Sequence, residues 1–341
     1  MANLGEFEFI EQLIRAQAAT GQLFYRAPHA LGIGDDAALI PPLAPDEQLA
    51  VSTDMLIEGR HYFSDVDPRS LGHKALAVNL SDLAAMGARP IAFTLAVGLR
   101  TIDAPWLTAF LDGMLTLARE SQCALVGGDT TKTSDTAPQV FSVTVMGAVP
   151  LGGALRRDGL RVGDHLWVSG SLGDPAYAVQ QQRPDQKLNW PSPRLALGRA
   201  LLPIATAAID ISDGLQSELH HLLQRSSMRA DAPTPLCARM QWPSVPIGPT
   251  LSAAIASGKL SADDAQLRAV TGGDEYELLF AAPPACAPAI FKISQSLDLP
   301  LTRIGEVRAA DAVHVQWVDA ANAPLSESLD ARLRHGGFTH F

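Results

Sequence analysis

One segment constrains the architecture of this 341-residue chain more than any other, the stretch from Asp67 to Pro90. Asp67 is a helix N-cap, Pro68 fits the first helical position, Gly87 lies near the C-cap and Pro90 stands beyond it, so the punctuation of a helix is complete at both ends. Its body is almost wholly apolar (Ala75, Leu76, Val78, Leu80, Leu83, Met86), and a helix of that kind belongs inside a protein. Asn79 and Asp82 interrupt it three residues apart, on one helix face. A carboxylate buried there without a partner would be costly, and a metal ion is a plausible counter-charge.

β-branched and aromatic runs surround this helix. Leu49–Ser52 predicts a short buried strand ending in polar residues, Ile91–Val97 and Val140–Val149 predict strands, and Ala104–Ser121 predicts a helix leading to the apolar run Cys123–Val126. Leu4–Gln17 has an amphipathic pattern. From Leu151 to Gly163 the chain turns rich in Gly and Arg, which predicts a domain boundary. Beyond it come strands at His165–Val168, Tyr276–Ala281, Leu301–Gly305 and Val313–Val318, a Gln/Pro-rich loop near Gln180–Pro193 and a helix over Gly214–Gln224. Ser226–Pro249, with many prolines, is expected to be irregular. The class is α+β (mixed α/β), in two domains at residues 1–150 and 151–341, as the length also favours.

Twenty-six basic against 36 acidic residues leave a net charge of −10, which argues against nucleic-acid binding. It does not oppose phosphate ligands, because divalent cations reverse the sign of an acidic site. Three scattered cysteines suggest neither a disulfide framework nor zinc. Met1–Glu6 lacks a basic segment followed by an apolar run, and no stretch is apolar for long enough to span a bilayer. A cytoplasmic location is expected.

Short acidic motifs recur: Gly32-Ile33-Gly34-Asp35-Asp36, Ser52-Thr53-Asp54, Asn79-Leu80-Ser81-Asp82, Gly127-Gly128-Asp129-Thr130-Thr131, Asp210-Ile211-Ser212-Asp213-Gly214 and Gly272-Gly273-Asp274-Glu275-Tyr276-Glu277. Each alone reads as an ordinary turn. As a set, converging carboxylates would need cations to offset their repulsion, and oxygen donors without His or Cys suit Mg2+. Gly127 and Gly128 would let backbone N–H groups approach phosphate oxygens. No Walker A sequence and no protein-kinase signature is present.

The segments GIGDDAAL, STDMLIEGRHY, KALAVNLSDLAAMGARP, LVGGDTT, IDISDGL and GGFTHF together resemble the thiamine-monophosphate kinases, of the aminoimidazole-ribotide-synthetase-like superfamily of ATP enzymes. The resemblance implies an N-terminal ATP- and metal-binding domain that dimerises through its sheet, and a C-terminal α/β domain that completes the ATP and substrate cleft. It implies phosphorylation of thiamine monophosphate by ATP, assisted by several Mg2+ ions, to give thiamine diphosphate in a homodimer. Carried over by position, Asp36, Ser52, Thr53, Asp54, Asp82, Asp129, Asp210 and Asp213 would hold metal. Gly128, Asp129, Ser212 and Arg157 (with Arg156 as its close rival) would contact ATP, and His61, Asp274 and Phe338 the substrate. The family usually reads Gly-Gly-Glu-Asp-Tyr-Glu where this chain has Gly-Gly-Asp-Glu-Tyr-Glu, so Asp274 and Glu275 both stand as candidates for the substrate's cationic end. Phe338 replaces a usual Trp or Tyr and keeps an aromatic platform. No general base is expected, because the acceptor phosphate is already an anionic nucleophile. The alternatives are another ATP enzyme of the superfamily or a non-catalytic Mg-nucleotide sensor. Selenophosphate synthetase would need a reactive residue where no Cys precedes Cys123, and the hydrogenase-maturation dehydratase would end in Cys rather than Thr339-His340-Phe341.

Overall fold

The computed structural model describes residues 24, 26–228 and 235–334. The amphipathic stretch at 4–17 and Phe338 therefore lie outside the described residues. The chain divides into two compact units, one drawn from Met1–Leu83, Ala88–Gly153 and Asn189–Pro191, the other from Ala84–Gly87, Ala154–Leu188 and Ser192–Phe341.

In the first unit, strands β1 (Glu47–Ile57), β2 (Arg89–Leu99), β3 (Ala124–Lys132) and β4 (Val140–Pro150) form a sheet of order β1-β4-β2-β3, with helices α1 (Pro68–Ala85) and α2 (Ala104–Glu120). β1 and β2 both run antiparallel to β4, while β2 and β3 are parallel. α1 begins as expected, since the Asp67 carboxylate accepts the Ser70 N–H at 3.0 Å, an N-cap bond. At its other end Gly87 takes φ 70°, the left-handed conformation of a helix stop. Pro90 stands beyond the helix, as expected, near the start of β2, where the ladder is irregular and a residue without an N–H is tolerated.

α1 and α2 cross with their backbones in contact. A Cβ on Gly72 would stand 1.8 Å from the Phe110 carbonyl oxygen, and one on Gly113 would stand 1.8 Å from that of Arg69. α2 meets the sheet through stacked rings, with Phe110 4.6 Å from Phe141 and Trp106 5.7 Å from Phe110.

At the end of β1 the Glu58 carboxylate accepts both terminal nitrogens of Arg100 and the Gln139 N–H at 3.0 Å. The Arg100 hydrogen bonds hold its pKa below the ordinary carboxylate value. A depressed carboxyl stabilises the fold above its unfolded pKa of about 4.5, and the contribution disappears as pH falls through the folded value. Arg100→Ala is therefore expected to lower Tm most at pH 6–7 and progressively less below about pH 4.5. Thermal melts of both proteins between pH 3 and 7 test this, and a pH-independent difference would refute it.

The second unit is a six-stranded sheet, order β10-β7-β9-β5-β8-β6. Its strands are β5 (His165–Ser169), β6 (Ala207–Asp210), β7 (Leu236–Gln241), β8 (Leu278–Ala282), β9 (Leu301–Ala309) and β10 (His314–Val318). Its helices are α3 (Asp174–Gln180), α4 (Gln186–Asn189), α5 (Leu195–Leu201), α6 (Leu215–Ser227), α7 (Pro249–Ala256), α8 (Ala262–Thr271), α9 (Ala287–Leu297) and α10 (Glu327–Arg334). Alternation along β8 sends Leu279 and Ala281 into a core with Leu215 and Leu219 of α6, Leu251 of α7 and Ala265 of α8. Leu278, Phe280 and Ala282 enter a second core with Leu197 and Leu201 of α5 and Ile290 of α9, so the sheet is covered on both faces.

The expected irregular segment at 226–249 contains strand β7, hydrogen-bonded on both sides by β9 and β10. Tertiary pairing overrides the proline signals that flank it. No helix among the described residues is long and apolar enough to cross a membrane.

Candidate functional site

Two acidic stations emerge, one in each unit. In the first unit Ser52-Thr53-Asp54 lies in the body of β1, which continues to Ile57 instead of ending in polar residues. α1 packs against it through the two polar residues of its apolar body. The Ser52 hydroxyl donates to Asp82 Oδ2 at 2.6 Å. Asn79, buried at 1% exposure, accepts the Asp54 N–H at 2.8 Å and donates to the Ala75 carbonyl at 3.0 Å. Among the described residues β1 has no strand neighbour on its outer edge, and a helix side chain supplies the partner for its backbone. Asp82 is half-buried, not buried, and its partner hydroxyl lowers the cost that the sequence assigned to it.

Thr53 shares a hydrogen bond with Thr144 at 2.8 Å across the β1–β4 ladder. Asp36 is exposed in the loop at residues 31–39, where its N–H is accepted by Asp35 at 2.8 Å.

Gly127-Gly128-Asp129 is not a turn; it lies within β3. A Cβ at Gly128 would approach the Leu95 carbonyl oxygen to 1.9 Å, so the close approach of β2 requires this glycine whether or not a phosphate binds. Asp129 is exposed on the edge strand opposite β1, with β4 and β2 intervening. Three interstrand spacings, about 14 Å, separate the β1 and β3 backbones. Among the described residues, no three His, Cys, Asp or Glu groups are placed to hold one metal.

His61 closes the turn after β1. Its Nδ1 accepts the Ile57 N–H at 3.0 Å, which puts the proton of a neutral ring on Nε2, and its carbonyl accepts Lys74 Nζ at 3.3 Å.

In the second unit two motifs sixty residues apart in sequence are knit together. The Asp274 N–H donates to the Ser212 carbonyl, Tyr276 N–H to that of Ile211, and Ile211 N–H to that of Glu277, each at 2.8 Å. A Cβ on Gly273 would reach within 2.4 Å of the Ser212 oxygen, so the loops could not approach this closely with any other residue there. Asp210 is buried at the end of β6; Ser212 and Asp213 are half-exposed.

Glu218, in the first turn of α6, accepts the Asp213 N–H at 3.2 Å and the Ser212 hydroxyl at 3.5 Å. Burial pushes its carboxyl up to about 7, and the Asp213 N–H and the Arg157 charge oppose that rise. Arg157 thus faces the Asp213–Glu218 turn electrostatically. Arg156 is instead tied to Asp158 by bonds of 2.9 and 2.6 Å. Geometry separates the other rival pair too. Glu275 is fully buried, accepting the Gly173 N–H and Lys187 Nζ, whereas the Asp274 carboxylate is partly exposed and accepts the Tyr276 hydroxyl at 3.1 Å.

Glu218, Lys187 and Arg194 escaped the reading of the sequence. Only Glu218 had a local signal, an acid in the first turn of a helix behind Asp213-Gly214. The two cations are more than eighty residues from the carboxylates they pair with.

The donors at both stations are carboxylate, hydroxyl and carbonyl oxygens, a set that fits Mg2+, which takes few carboxylates and completes its shell with water and phosphate. Residues 34–149 match the family model "AIR synthase related protein, N-terminal domain". The thiamine-monophosphate kinase of Salmonella typhimurium is 39% identical over 292 residues, covering 82% of this chain and 84% of that protein. The crystal structure of thiamine-monophosphate kinase from Stenotrophomonas maltophilia K279a is 39% identical with a TM-score of 0.79, covering 95% of this chain and 99% of that one. A structure of AaThiL complexed with AMPPCP and TMP is 25% identical with a TM-score of 0.71, covering 100% and 99%. With this identity sustained over most of both sequences, and the same two-sheet fold, the chain belongs to the thiamine-monophosphate kinase family.

Proposed function

We propose that this protein transfers the γ-phosphoryl group of ATP to the phosphate of thiamine monophosphate, giving thiamine diphosphate and ADP. The observation that carries the reading is the 39% identity, over four-fifths of each chain, to a thiamine-monophosphate kinase. Its partner observation is that a relative matching the whole chain is complexed with AMPPCP and TMP. When bound, Mg2+ would neutralise and align two polyanions that otherwise repel.

The chain's own part is to hold oxygens and cations in place. Asp36, Ser52, Thr53, Asp54, Asp82 and Asp129 of the first unit, and Asp210 and Asp213 of the second, are the proposed metal-facing set. The Ser52–Asp82 and Asn79–Asp54 hydrogen bonds support it by fixing two of these positions before any ligand arrives. Gly128, Asp129, Ser212 and Arg157 are assigned to ATP, with Arg157 favoured because Arg156 is engaged by Asp158.

Asp274 is assigned to the cationic end of the substrate, supported by its exposure beside a buried Glu275. His61 and Phe338 complete the proposed contacts. His61 would donate through Nε2, since Nδ1 is occupied by the Ile57 N–H. No side chain is assigned as a general base, because the attacking phosphate is already ionised near neutral pH.

A homodimer is proposed on the exposed Leu49, Val51 and Met55 of edge strand β1, an apolar edge of the kind proteins cover. A cytoplasmic location is proposed on the three free cysteines, two of them buried. Incubation with ATP, Mg2+ and thiamine monophosphate, with products identified by mass, is expected to give thiamine diphosphate and ADP in equal amounts. Free phosphate without thiamine diphosphate, or no turnover, would refute the assignment.

A further inference from the structure

Asp274 and Tyr276 both adopt left-handed backbone, at φ 62° and 53°. For a tyrosine that conformation is an outlier, and it persists only where the surroundings impose it. The residue between them supplies the imposition. Glu275, at 1% exposure, accepts the Gly173 N–H with one oxygen and Lys187 Nζ at 2.7 Å with the other.

Lys187 also reaches Glu277 Oε1 at 3.3 Å and donates to the Ser171 carbonyl. Glu277, equally buried, is gripped by Arg194 at 2.7 and 2.6 Å and by the Ser169 hydroxyl at 2.5 Å. Two buried carboxylates are thus balanced by two partly exposed cations, and Lys187 pairs with both acids. Burial opposes the charge on Lys187, and the two carboxylates outweigh it and hold the ammonium protonated. Removing one member of such a buried set leaves an uncompensated charge, so the remaining groups must move. The backbone most exposed to that movement is the strained turn that presents Asp274.

We infer that Lys187 is a positioning residue: by clamping Glu275 and Glu277 it fixes the left-handed turn at residues 274–276, and through it the direction of the Asp274 carboxylate toward the cationic ring of the substrate. The inference rests on the assignment of Asp274 to thiamine monophosphate. The Lys187 ammonium is committed to Glu275, Glu277 and the Ser171 carbonyl. Its influence is confined to the one substrate that Asp274 meets, which distinguishes a positioning role from a general contribution to stability.

The test is a double-mutant cycle of Lys187→Met and Asp274→Asn, read as separate KM values for thiamine monophosphate and for ATP. Lys187→Met is expected to raise KM for thiamine monophosphate about tenfold while leaving KM for ATP within about twofold, a cost near 1.4 kcal/mol by the conversion of a tenfold change. In the Asp274→Asn background the same substitution is expected to add less than about twofold, because the carboxylate it positions is gone. Equal rises in both KM values, or a full tenfold effect persisting without Asp274, would overturn the inference. If Lys187→Met does not fold, Lys187→Arg keeps the buried charge while changing its geometry, and the same split and the same non-additivity are expected of it. Wild-type turnover separates the two levels of failure. An active wild type with an additive cycle refutes the positioning role alone, whereas a wild type inactive on thiamine monophosphate refutes the functional assignment and this inference with it.

Discussion

Gly72→Ala is expected to destabilise the first unit by about 3 kcal/mol or more. The new methyl would lie 1.8 Å from the Phe110 carbonyl oxygen and 3.1 Å from the Met114 nitrogen, and both are backbone atoms of α2 that no rotamer change can move aside. The two helices would have to separate, and α2 is held to the sheet by the Phe110–Phe141 stack at 4.6 Å. Overpacking ordinarily costs about 1–3 kcal/mol. A clash with backbone belongs at or above the upper end, against a total stability of about 5–15 kcal/mol. A fall in Tm of roughly 6–12 °C is expected, with Gly113→Ala behaving alike through Arg69.

Gly152→Ala is the control. It takes φ 69° with nothing within 4 Å of the added carbon, so it should cost only the left-handed strain, about 1–2 kcal/mol. Equal melting temperatures for Gly72→Ala and the wild type would show that the crossing can open.

This helix crossing also marks where the sequence stopped being legible. α1 could be placed within two residues because its signals are local: a side-chain cap at Asp67, a proline at the first position, a left-handed glycine at 87. Nothing local distinguishes Gly72 or Gly113, whose need for a missing side chain comes from a helix about forty residues away. The acidic motifs divide along the same line. Asp210–Gly214 keeps the strand-to-helix turn that its residues suggest, because β6 ends and α6 begins there.

Ser52-Thr53-Asp54 and Gly127-Gly128-Asp129 look like turns in sequence and are strand interiors. Their polar residues are accommodated because both strands are sheet edges and, at β1, because Asn79 and Asp82 reach across from α1. The choice of Asp274 over Glu275 could not be made from the motif, since either acid satisfies its composition. Burial by Lys187 and Gly173 decides which of them remains at the surface, and those partners sit in segments with no sequence signal of the contact.

Asp129→Asn is expected to abolish most turnover while leaving the fold untouched, and the structure explains why the two effects separate so cleanly. Among the described residues the Asp129 side chain takes part in no hydrogen bond or ion pair, and it is exposed on edge strand β3. An exposed side chain without structural partners changes stability by about 0.5 kcal/mol or less when replaced. On the proposed reading Asp129 holds metal and nucleotide, and removing one charge-stabilising group of that kind costs about 10²–10³ in kcat.

Asp82→Asn should differ in one respect, because it also alters the partner of the Ser52 hydroxyl. Its loss of turnover should come with a fall in Tm that Asp129→Asn does not show. Raising Mg2+ should recover part of the Asp129→Asn defect if the lost carboxylate acted on the metal, since mass action compensates for weakened binding. Steady-state rates across a Mg2+ titration, with thermal melts of the same samples, measure both. Wild-type rates for Asp129→Asn at low Mg2+ would remove this residue from the metal-facing set and leave Gly128 explained by strand packing alone.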